Sequence, residues 1–287
     1  MHHNTTFLYY LVDCKNGSDS NDGIKAPFKT LDRVFEKDQS ADLRIRLIAP
    51  GEYPTKAQHF TSMSLHLVKD DSVQGDAVVS FCGKYPSSRI QFYNCYTHFI
   101  GIKLKWDPAN RLYFESGYCA MDSGTEFLSD EIRFNGMSVF AEDTSFYRLI
   151  VRECPLVKLH NITITKPGAN TQDAIHSRDS FPTIYGSLTL KSKMVSNNTA
   201  SVIIMDRGRL YISTAPTEQT GYTYGIKGNK AEIHADPMYL TRFEKFTKSG
   251  NSINPSTHYP LIQMQKEIDE LQDEISKLKN TIKVLEK

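Results

Sequence analysis

The sequence predicts an all-β body of solenoid type, closed at its C-terminal end by an α-helical coiled coil. Three observations carry this. Short alternating apolar runs recur through about two hundred residues with no helical pattern of 10–15 residues between them, which excludes a βαβ architecture and leaves a sandwich, barrel or solenoid. Two distant segments share one turn-and-strand grammar, as successive coils of a solenoid must. The stretch 261–287 carries four unbroken heptads.

Composition agrees and removes several functions. The chain holds 15 Tyr and 15 Phe against one Trp, a β-favouring set. A net charge of +1 and a pI near 7.7 are too neutral for nucleic acid as the main partner. The cysteines are Cys14, Cys82, Cys95, Cys119 and Cys154, an odd number without a C-x-x-C pair. That spacing supports neither a zinc nor a redox site and argues against a disulfide framework, so small buried thiols are expected, with no metal and no cofactor. The apolar run Phe7 to Val12 is too short for a signal-peptide core, and no run approaches a membrane span. The expectation is synthesis in a cytoplasm without membrane insertion.

Residues 1–40 read as a strand, a polar loop and a short helix. Asn16-Gly17, Asp19, Asn21 and Asp22-Gly23 are turn chemistry. After Pro27, the spacing of Phe28, Leu31, Val34 and Phe35 is helical. Asp19, Asn21 and Asp22 have the wrong offsets for a calcium loop, and Thr30 stands where a bidentate Glu would close it.

Residues 41–249 form the expected body. Its strand signals include Leu43-Ile45-Leu47, Leu65-Leu67, Ile90-Phe92, Ile100-Ile102-Leu104, Leu112-Phe114 and Ile132-Phe134. Val157-Leu159, Ile162-Ile164, Leu188-Leu190, Val202-Ile204, Leu210-Ile212 and Ala231-Ile233 continue the series. Charged residues alternate with these, so one face is buried and one is wet. The shared grammar lies in Tyr93 to Ile102 and Glu153 to Ile164: a polar residue and Cys turn the chain, a short strand follows, and a second strand begins after a tight bend. A β-sandwich is the competing architecture; it would show fewer strands and a clearer hairpin at each turn.

Residues 250–260, with Pro255 and Pro260, read as a linker. In 261–287 the a positions are Leu261, Ile268, Ile275 and Ile282; the d positions are Met264, Leu271, Leu278 and Leu285. A long helix with one narrow apolar seam cannot bury that seam alone, so the chain is expected to associate with itself.

The stretch V-D-x-x-N-G-S-D-S-N-D-G-x-x-x-P-F-K-T-L, followed by Ile45-Arg46-Leu47-Ile48-Ala49-Pro50-Gly51-Glu52-Tyr53, resembles the opening of right-handed parallel β-helix proteins of the pectin-lyase-like kind. It is similar above all to the form found in bacteriophage tail spikes and tail fibres. The correspondence is carried by residues 12–53; the two Cys-containing segments resemble later coils of the same fold. The resemblance implies a right-handed parallel β-helix with an N-terminal capping helix, located in a virion tail and assembled in the bacterial cytoplasm. It implies a homotrimer, other tail or baseplate proteins as partners, and host surface polysaccharide as ligand. The heptads alone, with Ile at a and Leu at d, favour a dimer; the trimer is the expected state.

Function then divides three ways: adhesion to host carbohydrate, depolymerisation of it, or a purely architectural connector. Glycosidic hydrolysis needs two carboxylates flanking the bond. The segment 170–179 resembles the N-T-D-G-I-D element of polygalacturonases, with Gln172 at the first acid's place and His176 at the second's. Asp173, Asp179 and Asp206 are the candidate carboxylates, each equally readable as a loop or turn charge, and no catalytic residue is assigned. Tyr185, Tyr211, Tyr222 and Tyr224, set among polar residues, are the candidate carbohydrate-binding aromatics.

Overall fold

The computed structural model describes residues 8–38, 40–83, 89–107, 111–129, 131–166, 173–192, 201–213, 216–219, 224–235, 245–247 and 252–255. Within them every strand pairing is parallel, and the strands join into one continuous 22-stranded sheet. The sheet winds into stacked coils, because each strand pairs with its equivalent some twenty to thirty residues on. This is the all-β, parallel arrangement that a β-helix requires.

Three faces follow one another along each coil. Face I stacks His59–Thr61, 89–93, 111–115, Ile132–Asn135, Leu149–Arg152, Ile175–Ser180, 201–206 and 224–229. Face II runs from Tyr10–Val12 and Asp42–Leu47 through Ser64–Lys69, 95–100, 117–122 and Ser138–Glu142 to 156–160, 182–185, 208–212 and 231–235. Face III stacks Gly51–Thr55, Ala77–Phe81, Lys103–Trp106, Glu126–Phe127, Ser145–Phe146, 162–166 and 188–192. Ser252–Pro255 pairs with 232–235 on face II, so the parallel ladder enters the stretch read as a linker.

The corners are a property of single residues. Between faces I and II the chain passes through the left-handed conformation at Ser62, Asn94, Ser116, Gly136, Glu153, Asp179, Arg207 and Lys230, with φ between 49° and 61°. Between faces II and III, Gly101, Ser123, Asp143, Asn161 and Gly186 do the same. Each non-glycine residue there costs roughly 1–2 kcal/mol. Cross-coil hydrogen bonds offset it: the amides of Gly136, Glu153 and Asp143 donate to the carbonyls of Arg152, Arg178 and His160 at 2.9, 2.9 and 3.1 Å. The expected turns before Cys95 and Cys154 are these corners, at Asn94 and Glu153.

Inside, like residues stack on like. Phe60, Phe92 and Phe114 lie parallel at 4.4 and 4.6 Å, and Phe134 continues the column at 5.1 Å. Phe127 and Phe146 stack at 5.3 Å behind face III. Cys95, Cys119 and Cys154 are buried, whereas Cys14 is half-buried and Cys82 exposed. Interior hydroxyls find backbone partners: Thr125 Oγ1 donates to the Phe99 carbonyl at 3.0 Å. Most predicted runs face inward as expected, with two exceptions. Ile100, in the run Ile100-Ile102-Leu104, is half-buried and faces out beside inward Phe99. In 201–206 the buried residues are Ile203 and Met205, while Ile204 faces out, one residue off the expected pair Val202-Ile204.

At the N-terminal end the helix Leu31–Lys37 forms where its spacing put it. Thr30 Oγ1 accepts the Arg33 amide as N-cap. Phe28, Leu31 and Val34 are fully buried, and Phe35 packs edge-on against Phe60 at 5.3 Å. The acidic loop before it is spent on its own backbone. Asp22 Oδ1 accepts three amides, from Ile24, Lys25 and Ala26; Asp19 accepts those of Lys29 and Thr30. Those bonds hold the Asp22 carboxyl down to about 2. The heptad positions from Leu261 to Leu285 lie outside the described residues.

Candidate functional site

Face II exposes most of the body's large apolar side chains, while Tyr93, 49% exposed, stands on face I. Its pleat sends Cys95, Thr97 and Phe99 inward and Tyr96 and His98 outward. Register then aligns the outward residues into columns along the solenoid. One column holds Ser64, Tyr96, Tyr118, Ser138, Leu156 and Phe181; the next holds Arg44, His66, His98, Ala120, Phe140 and Lys158. Tyr96 is 62% exposed, Phe181 47%, Tyr211 40%, Leu156 38% and Tyr185 37%. A monomeric surface seldom leaves so many large apolar groups on one face without using them.

The aromatics form short ladders. Tyr96 and Tyr118 stack at 6.4 Å, and Tyr118 meets Phe140 at 5.3 Å. Further along, Tyr185 stacks on His160 at 4.6 Å and Tyr211 on His234 at 4.5 Å. Coils follow one another at about 4.8 Å, so the ladder steps at nearly the ring-to-ring stacking distance, and each ring supports the next.

Beside Tyr96 and Tyr118 lies an open groove of about 260 Å³, lined also by Arg44, Ser64, His66 and His98. Its polar groups are fixed by the neighbouring coils. Tyr9 Oη hydrogen-bonds His66 Nδ1 at 2.8 Å, and His98 Nε2 meets Asp122 Oδ2 at 2.7 Å. The two imidazoles are 4.9 Å apart. Burial, reinforced by the neighbouring His98 and Arg44, pushes the His66 pKa down. His66 Nε2 is buried and has no hydrogen-bond partner. A flat apolar platform bordered by hydroxyl, imidazole, guanidinium and carboxylate groups is suited to a sugar ring, which offers an apolar face and a rim of hydroxyls. A larger groove of about 390 Å³ lies beside the helix, lined by Phe35, Leu43, Phe60 and Met63 with several small polar residues. Its rings, Phe35 and Phe60, belong to the end of the buried phenylalanine column.

The predicted residues scatter. Tyr185 and Tyr211 stand on face II; Tyr224 begins a strand on face I, and Tyr222 lies outside the described residues. Asp173 is buried at the edge of face I, where its backbone carbonyl accepts Arg148 Nε at 3.1 Å; its carboxylate lies 3.8 Å from Arg148 Nη2 and 3.9 Å from His176 Nδ1. Asp179 is a corner residue, paired with Arg207 at 2.5 Å. Asp206, one coil on, shares Arg178 with Asp179 at 3.7 and 3.6 Å. The fold therefore brings Asp179 and Asp206 around one guanidinium and leaves Asp173 at the far end of the strand. Tyr96, Tyr118, Phe140 and Phe181 were not singled out by sequence reasoning. Their signal was parity with Cys95, Phe99 and Cys119: in a strand, the residue beside an inward Cys faces out. Among the described residues no His/Cys/Asp/Glu group is placed to hold a metal ion, and no helix is long and apolar enough to cross a membrane. Comparisons with family models, with curated proteins and with solved structures find no match to this chain.

Proposed function

We propose that this chain is a subunit of a phage or phage-derived tail spike or fibre, a parallel β-helix that holds host surface carbohydrate on face II. The helix Leu31–Lys37 acts as the N-terminal cap, and 261–287 gathers the copies into a homotrimer. The observation that carries the reading is the run of ring contacts from exposed Tyr96 through half-buried Tyr118 to half-buried Phe140 in the next column, bordered by His66, His98 and Asp122. A rigid ladder of rings offers stacking area with little ordering cost, because neighbouring coils already hold each ring. Attachment to the particle falls to other tail or baseplate proteins.

The test is a Tyr96→Ala/Tyr118→Ala variant, judged by its binding to polysaccharide extracted from a sensitive host. Losing two stacking faces is expected to weaken binding tenfold or more, about 1.4 kcal/mol, with the melting temperature kept. The purified wild type should also block phage adsorption. No block would turn the reading to an architectural connector. Release of reducing ends from the same polysaccharide would turn it to a depolymerase.

A further inference from the structure

Face I carries a second array, of charge instead of aromatic surface. Six of the chain's twelve arginines, Arg89, Arg111, Arg133, Arg148, Arg152 and Arg178, point outward from it or stand at its edge. No lysine lies on the face I strands between 89 and 178. The carboxylates on this face and its edges are Glu115, Glu131, Asp173 and Asp206, with Asp107 four residues before Arg111, so arginine is in small excess, six against five. The adjoining corner adds Glu153 and Asp179 against Arg207 and Lys230 and leaves that excess unchanged.

Two details make this more than a charged surface. Arg89 and Arg111 are direct partners on adjacent coils. Like charges set opposite each other across strands destabilise a sheet. Tyr113 orders the guanidinium groups: Arg89 lies 4.8 Å and Arg133 5.3 Å from its ring, and Arg111 Nη1 approaches its hydroxyl at 3.4 Å. Tyr113 is itself 8% exposed, a buried base under the three forks. Glu131 takes Arg133 and Arg148, and Gln91 takes Glu115 at 2.6 Å. The Arg89–Arg111 end of the strip thus gathers guanidinium groups from adjacent coils over one ring. Arginine in place of lysine selects planar oxyanions held by two parallel bonds.

We infer that the Arg89–Arg111 end of face I, seated on Tyr113, binds the anionic groups of an acidic polysaccharide. Carboxylate and phosphate substituents share the required chemistry, an oxyanion presented at intervals along a chain. The inference rests on the reading of the protein as a glycan binder and uses a face separate from the aromatic ladder. Neutral rings and charged substituents of the ligand are then read by two faces that meet at the corner of Ser62, Asn94 and Ser116.

The experiment compares full-length protein with Arg89→Gln/Arg111→Gln and with Arg89→Lys/Arg111→Lys, using polygalacturonate, phosphorylated dextran and neutral dextran as probes. The Gln variant is expected to lose at least about tenfold in affinity for one or both acidic probes, since hydrogen bonds to charged groups contribute about 1.5–3 kcal/mol. The Lys variant is expected to lose most of the same affinity, because it keeps charge and loses the fork. Which acidic probe responds identifies the substituent. Both positions are exposed, and an unchanged melting temperature shows that the variants fold. Equal binding of the acidic probes by wild type and Gln variant overturns the inference. So does equal binding of duplex DNA at matched charge, which would mark general electrostatic attraction. Neutral-glycan binding that depends on Tyr96 should survive both variants; its failure would indict face II and not this strip.

Discussion

Glu131 is held by guanidinium groups from its own coil and the next, Arg133 and Arg148, with Arg148 Nη1 at 2.6 Å from Oε2. It is 8% exposed. Burial pushes its pKa up, but the hydrogen bonds and charge of Arg133, joined by Arg148, outweigh that and leave it below the ordinary 4.5. A carboxyl whose pKa falls on folding adds stability that is present above the unfolded value and lost as pH falls through the folded one. Glu131→Gln takes the carboxylate from two part-buried guanidinium groups, of which Arg148 keeps Asp173 at 3.8 Å, and should cost about 2 kcal/mol at pH 7. At pH 3 the gap to wild type should narrow, because the wild-type carboxyl is then gaining a proton too. Urea midpoints at the two pH values measure this; an equal gap at both would mean that Glu131 acts through shape alone. The sequence offered no sign of this cluster. Glu131 and Arg133 lie 17 and 15 residues before Arg148, and only the coil length converts those separations into contact.

The repeating element is a pair of strands joined by a left-handed corner, and glycine enters it for two different reasons. At Gly136 a Cβ would meet nothing within 4 Å, so only the backbone conformation at φ 61° resists a side chain. At Gly117 a Cβ would stand 2.2 Å from the Cys95 carbonyl oxygen and 2.9 Å from its nitrogen, both backbone atoms of the neighbouring coil. Gly136→Ala should therefore cost about 1 kcal/mol and Gly117→Ala about 3 kcal/mol or more, since a fixed ladder must part to admit the methyl. Denaturant melts of the two variants decide it; equal costs would remove close coil approach as the reason for Gly117. This element was partly legible. The Asn94-Cys95 and Glu153-Cys154 pairs revealed the corner, because a polar residue that tolerates the left-handed region precedes a small inward one. Ser116-Gly117 and Arg207-Gly208 occupy the same place without a cysteine, and nothing local distinguishes them from ordinary turns. Face II failed for a related reason: Tyr96 and Tyr118 become neighbours only through a register that spans 22 residues.

At the scale of the whole molecule, the count of copies sets what either face can do. A single aromatic groove or arginine strip gives modest affinity, whereas several parallel copies on one axis meet a repetitive surface with avidity gains of about 10²–10⁴. In the proposed assembly the four heptads after Pro260 would supply the axis, but their Ile-at-a, Leu-at-d pattern favours two strands. In a trimer built as proposed, a body as long as the described solenoid would also pack about that axis, and its preference should dominate a tail of four heptads; three copies are expected. Light scattering on the full chain should give three times 32.6 kDa, and twice that mass would overturn the trimer. Deleting 261–287 separates the two contributions. If the helices are the clamp, the shortened chain falls to the monomer mass, keeps its affinity for a short oligosaccharide, and loses about a hundredfold on immobilised polysaccharide. If it stays trimeric, the contacts between bodies hold the assembly, and the apolar residues left exposed at Leu156 and Phe181 are then the first place to look for them.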